Sequence, residues 1–235
     1  MSEAHVLSAG GTVESPPAGP VRRVYLALEM AVLYGAVPIG LHFLMQAERI
    51  PIFFALIPVL AAIVVILLAD STFRLRDELW RGFSWLTLAS ILCLFAVGGG
   101  AAALWVKQTH PSWFLEFPTN RPEIYKRVVL LYPLFSVLTQ EIVYRTFYFH
   151  RYGPLFGEQQ WLGIVTNGLL FGFAHIVVGS TVAVITTLFG GILLALRYSA
   201  TRSFWAVFVE HTLWGWLIFT IGLGRFFFTG VPSIK

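Results

Sequence analysis

The chain has 235 residues, 57% of them hydrophobic and 12% charged, with a formal net charge of +4 and a mean hydropathy of +0.76. A soluble domain runs nearer about 45–50% apolar and about 25% charged, so too little polar surface is present to cover a globule in water. Soluble enzyme, disordered chain and secreted disulfide scaffold are therefore excluded, and the single cysteine, Cys93, can close no intrachain bridge.

Residues 1–20 are rich in Gly, Pro, Ala and Ser without apolar periodicity, which predicts a flexible tail. A spanning helix needs about 20 apolar residues. Segments near 24–46, 50–69, 83–106, 127–149, 160–178, 182–199 and 203–224 meet that need. The expected fold is all-α, a polytopic transmembrane bundle of about seven (six to eight) spanning helices. The chain divides into the tail, a stretch 21–126 with the first three helices, and a polar-bearing bundle at 127–235. Gly98-Gly99-Gly100 in the third segment and Gly190-Gly191 in the sixth are small residues that let helices approach closely. The connection from Lys107 to Lys126 carries Trp113, Phe114 and Phe117 and reads as an interfacial anchor, an aromatic belt or a lid.

Basic residues stand singly or in pairs at segment edges, among them Arg22, Arg23, Arg74, Arg76, Arg81, Arg197 and Arg202. That distribution suits contact with a lipid bilayer rather than nucleic acid. The pair Arg22-Arg23 ahead of the first span favours an N-terminus on the inner side.

Ionisable groups inside spans are costly to bury, so each is a candidate for function. Glu29 and His42 lie in the first span, and the rest gather in the C-terminal half: Gln140, Glu141, Arg145, Asn167, His175, Glu210 and His211. Glu141 and Arg145, four apart, share a helical face and can pair. Asn167, Phe171 and His175 also share one face. A lone His on an apolar helix is most often a packing residue, and an ion pair by itself is as well explained by structure. Together, however, a carboxylate and two imidazoles converging in a bundle can polarise water, take its proton and stabilise an oxyanion. Glu141, His175 and His211 could equally hold a divalent metal such as zinc. The sequence has no H-E-x-x-H, no G-x-S-x-G and no Walker loop.

These residues resemble the CPBP family, the CAAX-protease and bacteriocin-processing (Abi) intramembrane endopeptidases, whose motifs are E-E-x-x-x-R, F-x-x-x-H and H-x-x-x-N. The chain carries them as Gln140-Glu141-Ile142-Val143-Tyr144-Arg145, Phe171-Gly172-Phe173-Ala174-His175 and His211-Thr212-Leu213-Trp214-Gly215. The resemblance implies hydrolysis of a peptide bond in a membrane-associated protein. Glu141 with His175 would activate water, His211 would donate to the oxyanion and Arg145 would orient Glu141. It also implies, with the chain length, a prokaryotic inner membrane. Two positions depart from the pattern: Gln140 replaces a glutamate and Gly215 an asparagine. Glutamine cannot act as a general base, and loss of the amide at 215 removes an oxyanion donor. A catalytically silent relative acting as a membrane scaffold or maturation partner is the second expectation. A small transporter using the buried polar set as a proton relay is the third.

Overall fold

The computed structural model describes residues 19–48 and 52–227. Most of the expected N-terminal tail therefore lies outside the described residues. The described residues contain helices and no strand. The helices are, in order, α1 (Pro20–Leu44), α2 (Ile52–Ala69), a short α3 (Leu75–Trp80) and α4 (Trp85–Thr109). A short α5 (Glu116–Asn120) leads into α6 (Pro122–Phe156), α7 (Gln160–Val178) and α8 (Thr181–Thr201). The order ends with α9 (Phe204–Thr220) and a 3₁₀ turn over Leu223–Phe226.

Among the described residues five helices, α1, α4, α6, α7 and α8, are long and apolar enough to cross a membrane. The other two expected segments are helical but shorter by this measure: α2 counts over Ile57–Ala69, and α9 has 17 residues. Large apolar side chains such as Leu86, Leu130 and Phe189 face outward, the surface expected of an integral membrane protein.

Helix ends follow local chemistry. Pro20 and Pro122 occupy first turns, where a missing N–H costs nothing. Ser84, Ser180 and Ser203 each cap the helix that follows by accepting a backbone N–H.

A proline also explains why α6 is not regular. Pro133 opens a π-helical turn, Pro133–Val137, and has no N–H for the carbonyl of Val129. That carbonyl instead accepts a hydrogen bond from Trp216 Nε1 at 3.0 Å, which ties α6 to α9. A second π turn, Ile142–Phe147, follows directly after Glu141. Wide turns expose carbonyls to side chains. Val143 O accepts from the Tyr34 hydroxyl at 2.6 Å, and Tyr144 O accepts from Asn167 Nδ2 at 2.6 Å. The turn thus docks on α1 and α7, and Tyr34 itself lies in the π turn of α1, Val32–Ala36.

The core sits where α1, α2, α6 and α7 meet, with Leu26, Tyr34, Ile63, Leu67, Tyr144, Tyr148, Tyr152 and Phe171 buried together. Helices α7 and α8 touch through glycine. A Cβ on Gly168 would stand 2.3 Å from Ile192 Cγ1, and one on Gly172 would stand 2.9 Å from Leu188 Cα. Of the expected pair, Gly191 makes such a contact and Gly190 does not. Gly98 and Gly99 admit Trp214 and Leu217 of α9 against α4, whereas Gly100 faces open space.

The 107–126 connection is tied down. His110 stacks on Trp113 at 3.9 Å, Arg225 lies 4.3 Å over the Trp113 ring and pairs with Glu116. Gly222, at φ +93, passes so close to Trp113 O that a Cβ would stand 2.2 Å away.

Candidate active site

Helices α1 and α6 to α9 enclose a cavity of about 680 Å³, lined mostly by apolar side chains. Polar groups on its wall come from different helices, among them Arg127, Tyr132, Ser136, Thr139, Gln140 and Tyr144 of α6, His175 of α7, Thr186 and Thr187 of α8 and His211 of α9. A large apolar pocket with sparse convergent polar groups is the usual form of a binding or catalytic site.

His175 stands where α7 tightens into a 3₁₀ turn before Gly179. Its Nδ1 lies 2.8 Å from Phe171 O. A carbonyl only accepts, so the proton is on Nδ1 and the Nε2 lone pair is left free. The Phe171 ring packs 4.9 Å from the imidazole and holds its plane.

His211 is pinned by a stronger partner, its Nδ1 lying 2.6 Å from Glu141 Oε1. The carboxylate sets the tautomer and can support a positive imidazole, the arrangement by which a buried acid orients a catalytic histidine. Glu141 is wholly buried and is not among the residues that line the cavity. Its second oxygen, Oε2, lies 3.3 Å from Arg145 Nε. The guanidinium, also wholly buried, donates from Nη1 to Asn167 Oδ1 at 2.7 Å and lies 4.9 Å over the Phe171 ring. One network therefore runs from Asn167 through Arg145 and Glu141 to His211.

The neighbouring position is different. Gln140 lines the cavity that Glu141 does not reach, because successive helical residues point about 100° apart. Its Nε2 donates to Ser136 Oγ at 2.9 Å, and its Oε1 is buried without a partner.

The structure thus brings together the residues singled out in the sequence, in two layers. Gln140, His175 and His211 face the cavity, with Glu141, Arg145 and Asn167 behind them. The other ionisable candidates lie elsewhere. Glu29 receives both nitrogens of the Arg151 fork at 2.9 and 2.8 Å and the Tyr152 hydroxyl at 3.0 Å. Glu210, beside His211 in sequence, pairs with Arg197 at 2.8 Å on the other side of α9. Among the described residues no group of three or more His, Cys, Asp and Glu could hold a metal ion. One Glu141 oxygen is taken by an imidazole N–H and the other turns to Arg145, so no step below runs through a metal.

Sequence reasoning missed Tyr132. It lines the cavity, and its ring lies edge-on to His211 with centroids 6.1 Å apart. A tyrosine ahead of a proline in an apolar span carries no signal that would have marked it.

No curated protein and no solved structure gives a significant match to the chain. Residues 124–217 match the family model described as Rce1-like, type II CAAX prenyl endopeptidase. That stretch holds Gln140, Glu141, Arg145, His175, His211 and Gly215. Over that stretch the chain is similar to the type II CAAX prenyl endopeptidases.

Proposed function

We propose that the chain is an intramembrane endopeptidase that hydrolyses a peptide bond in a membrane-associated protein, in a prokaryotic inner membrane. The observation that carries this reading is that His175 and His211, from separate helices, line one cavity, each with Nδ1 already engaged.

In this mechanism a water enters between the imidazoles and the scissile carbonyl. Gln140 Oε1 accepts a hydrogen bond from it and sets its position, since an amide can orient water without taking its proton. His175 Nε2 takes the proton as the water oxygen bonds to the carbonyl carbon and the carbonyl π pair moves to oxygen. His211 donates to the oxyanion, its positive form supported by Glu141. Collapse of the tetrahedral intermediate breaks the C–N bond, and the proton held on His175 passes to the leaving amine. Glu141 acts here through His211 rather than on water directly, and Arg145 is a positioning residue for Glu141. General acid–base catalysis by a placed imidazole contributes about 10²–10⁴-fold.

The test uses the purified chain in lipid vesicles with a quenched-fluorescent, prenylated CAAX peptide. His175→Ala and His211→Ala are each expected to lower turnover per folded molecule by about 10²–10⁴-fold, with His211→Ala also lowering the melting temperature because it leaves a buried Glu141 oxygen without its partner. Full activity in both variants would falsify the mechanism.

One observation favours a second reading, a silent relative that scaffolds or assists another membrane protein: an amide stands at 140, where the family carries a carboxylate. In that case the wild-type chain binds the peptide and never cleaves it.

A further inference from the structure

A donor in this cavity belongs neither to the motifs nor to the buried ion network. A Cβ built on Gly215 would stand 2.2 Å from Cε1 of Tyr132, 2.4 Å from its Cζ and 2.4 Å from its hydroxyl oxygen. The phenol of α6 therefore fills the space that any side chain at position 215 of α9 would take. Its ring is held edge-on by His211 at 6.1 Å and by Phe219 at 5.3 Å, residues one turn before and one turn after Gly215. No hydrogen bond to another described residue engages the hydroxyl.

Position 215 lies one helical turn from His211 and is where the family pattern has an asparagine. Glycine there removes the amide, and the same glycine is what lets the phenol in. Both groups are neutral donors able to reach the same region beside His211, so the exchange keeps a donor while moving its source to another helix. A phenol O–H in a pocket with little competing water is a strong donor to developing negative charge.

We propose, on the reading of this cavity as a hydrolytic site, that the Tyr132 hydroxyl is a catalytic hydrogen-bond donor to the oxyanion, taking the place of the asparagine amide missing at Gly215. It lends a hydrogen bond and transfers no proton, so the proton balance of the reaction is unchanged. Gly215 is the positioning partner of Tyr132.

The experiment compares kcat and KM for the prenylated CAAX peptide in vesicles, alongside thermal melting. Tyr132→Phe keeps the ring and its packing, and removes only the hydroxyl. It should lower kcat by about 10²-fold or more, the loss typical of one oxyanion donor, with KM and melting little changed. Gly215→Asn alone drives its side chain into the Tyr132 ring and should abolish turnover. Tyr132→Ala with Gly215→Asn opens that space and restores an amide, and should turn over at least tenfold faster than Tyr132→Ala. Wild-type kcat in Tyr132→Phe, or no recovery in the double variant, overturns this inference while leaving the protease reading standing. No cleavage by the wild-type chain overturns both.

Discussion

Glu141 and Glu210 are both buried carboxylates paired with arginine, yet they belong to different regions of the molecule. Glu210 meets Arg197, which also donates to Ser90 of α4 at 2.8 Å. That pair laces α4, α8 and α9 on the face away from the cavity. Glu29 with Arg151 does the same for α1 and α6. Glu141 also has its arginine, but its other oxygen holds an imidazole whose far edge lines a cavity. Burial of a charge is thus no guide to function by itself. What separates the regions is whether the pair ends in a group that lines the cavity, as His211 does.

The sharpest way to break this comparison is to remove the arginine from each pair. Arg145→Met leaves Glu141 buried and uncompensated, which should cost about 3–5 kcal/mol and abolish turnover. Arg197→Met acts at a partly accessible rim, with the arginine side chain 17% exposed. It should cost about 1–3 kcal/mol and leave the turnover of folded protein near the wild-type value. Thermal melts and turnover in the same vesicles check both, and equal loss of turnover per folded molecule would erase the distinction drawn here.

A smaller effect, of opposite sign, is expected on the cavity side. Gln140→Glu places a carboxylate beside Ser136, where the amide oxygen now has no partner. It should raise kcat by tenfold or more, about 1.4 kcal/mol in the barrier, because the water then has a second base. A rate no higher than wild type would show that the amide is not what limits the reaction.

The smallest effect belongs to a carboxylate in neither region. Asp70, at the end of α2, accepts from the hydroxyl and N–H of Thr72 and faces His150 at 3.2 Å. The Thr72 bonds hold its pKa down to about 2, with His150 adding to the effect. A depressed folded-state pKa means that Asp70 contributes its full stability above the ordinary aspartate range, near pH 4. That contribution fades as pH falls toward about 2. Asp70→Asn should change stability by less than about 1 kcal/mol, and most of that difference should vanish in melts below the ordinary aspartate range. A pH-independent difference would assign the effect to packing.

Much of this was legible from residues alone. Long apolar runs can only be helices in a bilayer, because each backbone polar group must find its partner within its own segment. The approximate placing of the helices follows, as does the concentration of Gln140, Glu141, Arg145, His175 and His211 in the later spans. Helical spacing also put Arg145 within reach of Glu141.

Other features were decided by contacts between helices. The wide turns around Glu141 depend on Pro133 locally, but also on Trp216, Tyr34 and Asn167 taking the freed carbonyls. The two glutamates of α6 and α9 could not be told apart by hydropathy, since each is a charge in an apolar run.

Composition and spacing by themselves determined an all-helical membrane protein and the residue types of its site. Only the tertiary structure decided that Gln140 faces the cavity and Glu141 the histidine behind it, and that a tyrosine of α6 fills the space left by Gly215 of α9. The physical reason is range. Hydropathy and helical period act within one segment, whereas the facing of a side chain and the filling of a gap are set by which helix packs opposite.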